Sequence, residues 1–191
     1  MTNRTALFCK LMVVLGVFTL AVPVIFCQAV NSNTATVSLS ATLSESLTVA
    51  ASPSTVTFPL VAGGTATGNA PVAVTTTWVL SGSRTTVTLI GYFASATAAL
   101  SNAGPPVVDI PTSEVLGQMT TGTPTTFTAF TQTAPLGPAG AGLTLFTQAI
   151  SATNRSSTRT DNLNLQINLT SQPQLPAGTY TGTLNIQAQA L

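Results

Sequence analysis

Histidine does not occur in this 191-residue chain. Its single lysine, Lys10, and both cysteines, Cys9 and Cys27, lie before residue 30. From there onward no imidazole, amine or thiol side chain is present. Serines are plentiful, but no conventional base stands ready to take their protons, so triad-type nucleophilic catalysis has no basis here. Charge is equally scarce. Beyond residue 30 the chain carries Arg84, Arg155 and Arg159 against Glu45, Asp109, Glu114 and Asp161. No basic stripe exists to neutralise phosphates, which argues against nucleic acid as a partner. No polybasic cluster exists to hold an anionic membrane. A chain of this length without a disulfide must hold itself by packing and ladder hydrogen bonds.

The remaining carboxylates offer little chemistry. Asp109 and Glu114 are the close pair, flanking "IPTS". A glycosidase would place two carboxylates in a constructed pocket, and calcium would want six to eight oxygens. Neither setting is written into this loop. No catalytic residue, metal site or cofactor is therefore expected. Arg155, Arg159 and Asp161 read as a surface ion pair around a turn.

Residues 1–29 read as a signal peptide. Arg4 and Lys10 precede the apolar run "LMVVLGVFTLAVPVIF", and "CQA" supplies a small residue at a cleavage site. A lipidated Cys27 is the alternative, although Phe26 stands where a small residue is wanted. The expected location is secreted or cell-surface, with no membrane contact after the signal is removed. Residues 30–191 then form a single domain.

What is abundant is period-2 alternation with threonine, serine, asparagine and glutamine on the polar face. "TATVSLSATLSESLTVAA" places Ala35, Val37, Leu39, Ala41, Leu43, Leu47, Val49 and Ala51 in one phase, broken by Glu45. The run is too long for one ordinary strand, so it is read as two strand lengths joined at "SES". "STVTFPL" reads as a short strand, and "VAGGTATGNAP" as a loop. "APVAVTTTWVL" sets Val72, Val74, Trp78 and Leu80 on one face. "TTVTLIGYFA" follows as its hairpin partner. Trp78 and Phe93 are expected core aromatics.

The signal weakens between Ala94 and Gly142, where short strands are placed at 113–119 and 125–131 among loops. "GLTLFTQAIS" is a strand, "ATNRSSTRTD" a turn region and "NLNLQINLT" a strand with Leu163, Leu165, Ile167 and Leu169 inward. In "TYTGTLNIQAQA", Tyr180, Gly182, Leu184, Ile186, Ala188 and Ala190 share the core face. No sustained helical period and no internal repeat occur. "TYTGT" is similar to flat ice-binding faces, but its spacing is irregular and it reads as ordinary outward strand positions. The predicted fold is all-β: an immunoglobulin-like Greek-key β-sandwich of about nine or ten strands.

Two segments carry a family resemblance. "TATVSLSAT" with "LTVAASPSTVTF", and the closing "LPAGTYTGTLNIQAQA", resemble secreted bacterial chaperone–usher pilin subunits, especially the spore-coat-U-like branch. The resemblance implies a sandwich lacking one strand. A neighbour's N-terminal extension fills the groove by β-augmentation and the subunits polymerise into fimbriae. It implies copies of itself or related subunits as partners, with a periplasmic chaperone and an usher. Residues 30–43 would then be the donor extension, with Val37, Leu39, Ala41 and Leu43 entering the groove. A self-complete fold is equally open, in which the same segment pairs within its own domain. The expected function is that of a structural or adhesive surface protein. The alternative is a monomeric cell-surface binding module, for carbohydrate among other ligands, using the 94–142 loops.

Overall fold

A computed structural model describes residues 29–191; the expected signal peptide, with Cys9 and Cys27, lies outside the described residues. The chain divides into two units, Met1–Ala41 and Thr42–Leu191. In the first, residues 29–41 form no helix or strand, and all are exposed. The second holds eleven β-strands: β1 (Ser46–Ser52), β2 (Thr65–Thr67), β3 (Val72–Val79), β4 (Thr86–Tyr92), β5 (Leu100–Asn102), β6 (Val108–Ile110), β7 (Val115–Met119), β8 (Thr128–Ala129), β9 (Gly142–Ala149), β10 (Ser156–Asn168) and β11 (Asn185–Ala190). A single turn of 3-10 helix, Thr112–Glu114, precedes β7. Among the described residues there is no α-helix.

The strands build an antiparallel β-sandwich, as the alternation predicts. One sheet runs β1-β3-β10-β7-β8, with β2 also on β10; the other runs β11-β4-β9; β5 and β6 form a separate pair. The connections from β3 to β4 and from β10 to β11 cross between the sheets, in the Greek-key manner. Val72, Val74, Trp78 and Leu80 face inward from β3 and its end, and Val87 and Leu89 from β4. They meet Leu143, Leu145 and Phe146 of β9 and Leu163, Leu165 and Ile167 of β10 in one core. Burying each large side chain contributes ~1.5–3 kcal/mol. Trp78 is 2 % exposed, and its indole N–H donates to the Asn154 carbonyl at 2.8 Å, so the core takes the ring without stranding its polar atom. Phe93 packs edge-on to Phe130 with ring centres 5.3 Å apart.

Several expectations need correction. Residues 35–45 form no strand; β1 begins at Ser46, so only the second half of the long alternating run is ladder-paired. Residues 54–60 are not a strand, although Val56, Phe58 and Leu60 still pack against the core. Thr65–Thr67, read as loop, is β2. β3 and β4 do not form a hairpin. β3 pairs with β1 and β10 in one sheet, β4 with β11 and β9 in the other. The strands expected at 113–119 and 125–131 are shorter, and β5 and β6 were not foreseen. "SSTRTD" is not a turn; it is the first half of β10, a strand of 13 residues.

Candidate functional site

The candidate site is a sandwich edge, built from two strands that each lack a second partner. Among the described strands, β1 pairs with β3 alone and β11 with β4 alone. These two strands face one another across the edge. Leu191 and Thr86 exchange both backbone hydrogen bonds, at 3.0 and 3.1 Å. Antiparallel ladders alternate, so Ile186, Ala188 and Ala190 turn their N–H and C=O groups away from β4, toward the open side. Segment 181–184 continues this line, and Thr181 pairs with Ser101.

The packing is uneven in the same place. Leu47 and Val49 of β1 are half-buried, as are Leu184, Ile186, Ala188 and Ala190. Away from this edge Val87, Leu89, Leu143 and Leu163 are 0 % exposed. The inward rows of β1 and β11 therefore meet in a shallow, partly exposed groove over the core. Near the link from β3 to β4 lies a shallow, open recess of about 260 Å³. Leu47, Leu80, Ala188 and Ala190 line it, with Glu45 and Arg84 at its rim.

Glu45 is tied into that rim. Its carboxylate accepts the Ser81 N–H at 2.6 Å and the Arg84 guanidinium at 3.3 and 3.1 Å. The hydrogen bonds from Arg84 and then Ser81 pull its pKa down to about 2.

A second polar cluster lies inside the sandwich. Asp161 is 2 % exposed and Arg159 half-buried, so the expected surface ion pair has its carboxylate inside and its cation at the surface. Arg159 reaches Asp161 through Nε at 2.5 Å and Nη2 at 2.9 Å, and also donates to the Thr121 carbonyl at 2.9 Å. The Thr121 hydroxyl donates to the same carboxylate. Arg159 stacks 4.6 Å above the Phe146 ring, joining the two sheets. Burial pushes the Asp161 pKa up, but the bonds from Arg159 and Thr121 outweigh it, and the carboxyl ends below its ordinary value. With its acceptors occupied and its cation stacked, this cluster braces the fold and presents nothing to a ligand.

The structure separates the other sequence candidates. Asp109 lies on β6 and Glu114 at the end of the 3-10 turn, where it accepts from the Ser171 hydroxyl. Val37, Leu39 and Leu43 are 82 %, 92 % and 86 % exposed, and Ala41 is exposed too. Tyr180, Leu184, Ile186 and Ala188 all pack on the core and all remain half-buried, though β11 itself begins only at Asn185. Leu47, Val49 and the Glu45–Arg84 pair complete the groove, although the sequence marks none of them as a site. The available signal was Glu45 itself, one charge in an otherwise apolar phase. Searches against protein-family models, curated proteins and solved structures return no match for this chain.

Proposed function

We propose that the chain is a non-enzymatic structural or adhesive subunit of an extracytoplasmic assembly, pilin-like or coat-like. It acts through β-strand contacts with copies of itself or with related subunits. One observation carries the reading: two neighbouring edge strands with half-buried inward rows occur in a chain whose residues 35–43 alternate and expose their apolar side chains. Such a segment supplies what the groove lacks, namely a ladder partner and side chains at every second position. Long open edges and exposed apolar rows are liabilities in a protein that works alone. They are useful in one that assembles.

Magnitudes favour a ladder in addition to side-chain burial. Val37, Leu39 and Leu43 contribute ~1.5–3 kcal/mol each when buried. Association costs ~4–15 kcal/mol. Side chains alone barely offset that cost, so the backbone bonds and the covering of Leu47, Val49, Leu184 and Ile186 are also needed. In this reading the partners before assembly are a periplasmic chaperone and an usher, which shield the groove until a second copy arrives.

Size-exclusion chromatography with light scattering, on residues 30–191 and on residues 44–191, tests the proposal. The longer chain is expected to form oligomers and the shorter to run as a folded monomer. Folded monomers in both cases reject the reading.

A further inference from the structure

The two outer strands of the β11-β4-β9 sheet are held unequally. β9 has its outer edge covered. Gln132 and Gly142 exchange backbone bonds at 2.7 and 3.0 Å, and Thr123 donates its N–H to the Leu145 carbonyl at 3.1 Å. The Gln132 side chain accepts the Thr144 N–H at 2.8 Å. Thr120 donates to the Asn162 carbonyl of β10 at 3.0 Å, so segment 120–123 ties one sheet to the other. Arg159 of β10, stacked on Phe146 of β9, is a second tie on the same side. β11 has no such cover. Among the described residues its backbone bonds run to β4 alone, and the Tyr92 hydroxyl bond to Gln187 returns to β4 as well. Its inward side chains Ile186, Ala188 and Ala190 are half-buried, whereas Leu143 and Leu145 of β9 are 0 % exposed. Upstream, the nearest anchor is Thr181, which exchanges bonds with Ser101 at 2.8 and 3.0 Å.

Elements open in the order of what holds them. Releasing residues 182–191 breaks one ladder and uncovers a row that is already partly wet. Releasing β9 would break bonds on both of its edges and empty the core. β1 is the other strand with a half-buried row, but it is followed by Val56, Phe58 and Leu60, which pack on the core. β11 is therefore the strand most readily released. Once it leaves, the edge of β4 offers a seat whose register and inward row match one segment, β11 itself. A second copy of the chain carries the same strand.

We propose that β11 is exchangeable between copies: the β4 edge of one chain accepts β11 of another, in the same register, with Ala188 opposite Leu89. Exchange of an identical element joins two chains without any new contact chemistry. Closed monomers dominate in the micromolar range, because a short tether gives each chain's own β11 an effective concentration of ~1 mM. Exchange gains ground as the bulk concentration approaches that value. It does not involve segment 35–43, so it stands or falls separately from the assembly reading above.

Residues 44–191 contain no cysteine, so introduced thiols report on the exchange. Thr88 of β4 and Gln189 of β11 lie opposite one another, and neither is buried. A Thr88→Cys chain is mixed with a Gln189→Cys chain and oxidised at about 10 µM and at about 1 mM. A disulfide between the two variants requires β11 of one copy on β4 of the other. At the higher concentration the cross-linked heterodimer is expected at a yield at least about 10-fold above that of a control pair, Thr160→Cys with Gln189→Cys, whose positions lie in different sheets. A yield equal to the control overturns the proposal. Hydrogen exchange on the unmodified chain gives a second reading. Thr86 bonds Leu191, so along β4 the N–H groups of Thr88 and Ile90 point to β11, and those of Leu89 and Gly91 to β9. The first pair is expected to exchange at least about 10-fold faster than the second. Equal rates overturn the release of β11. If Thr88→Cys loses its β-sheet circular dichroism, the opposed pair Tyr92→Cys and Asn185→Cys decides.

Discussion

At the scale of the residue, Asp161 is the group whose chemistry most constrains the fold. Its carboxylate is buried on the inward face of β10, and it stays charged because Arg159 and Thr121 donate to it. A pKa lower in the folded than in the unfolded chain means that folding favours the ionised form. Its contribution is fully present well above the ordinary value of 3.8 and is lost as pH falls below it. Urea denaturation across the acid range is expected to show this loss in the wild type. Asp161→Asn should flatten that part of the profile. Arg159→Met keeps contact with Phe146 but leaves the carboxylate buried without its cation. Because Arg159 is partly exposed and Thr121 still donates to the carboxylate, it should cost ~1–3 kcal/mol at pH 7, less than a fully buried pair would. A change under ~1 kcal/mol would mean that Asp161 is solvated rather than clasped.

At the scale of the element, the segment before β1 and the strand β10 show how far sequence patterning reaches. Leu39 is 92 % exposed, so the domain gains nothing from it by itself. In dilute solution, where the wild type is also monomeric, Leu39→Asp should leave thermal unfolding within ~0.5 kcal/mol of wild type, as surface changes do. The same change should abolish oligomers in light scattering, because a carboxylate entering the groove has no partner there. Oligomers that survive it would place the contact elsewhere. β3, β9 and the second half of β10 were legible because each sets an apolar row on one face. The first half of β10 was not: its inward positions Ser157, Arg159 and Asp161 are polar like its outward ones, so no alternation marks the strand. The short link from "APVAVTTTWVL" to "TTVTLIGYFA" suggests a hairpin, but strand partners are chosen by burial across the whole sandwich. β3 and β4 each found non-local neighbours in different sheets. The inward row of the groove was readable from "GTLNIQAQA", and the exposed row from "TVSLSATL". That β1 and β11 would both be edge strands was not, because edge status depends on topology and not on local pattern.

At the scale of the whole molecule, the described domain covers its core fully except where the edge strands β1 and β11 meet. About 150 residues suffice to bury ~70 % of the unfolded surface. Along the edge, however, Leu47, Val49, Leu184 and Ile186 stay only half covered. A binder that recognises only the folded groove must raise stability by mass action. A synthetic peptide of residues 34–45, added to the chain truncated to residues 44–191, is such a binder if the assembly reading holds. At 100 times its Kd it should add ~2.7 kcal/mol, which for a domain of this size raises the melting temperature by several degrees. A second peptide of identical composition, with Val37, Leu39, Ala41 and Leu43 moved out of phase, offers the same apolar content without the period of two. It should leave the melting temperature unchanged, because a strand places only alternate residues on one face. Equal shifts from both peptides would reveal unspecific apolar adsorption, and no shift from either would remove the groove as a strand acceptor.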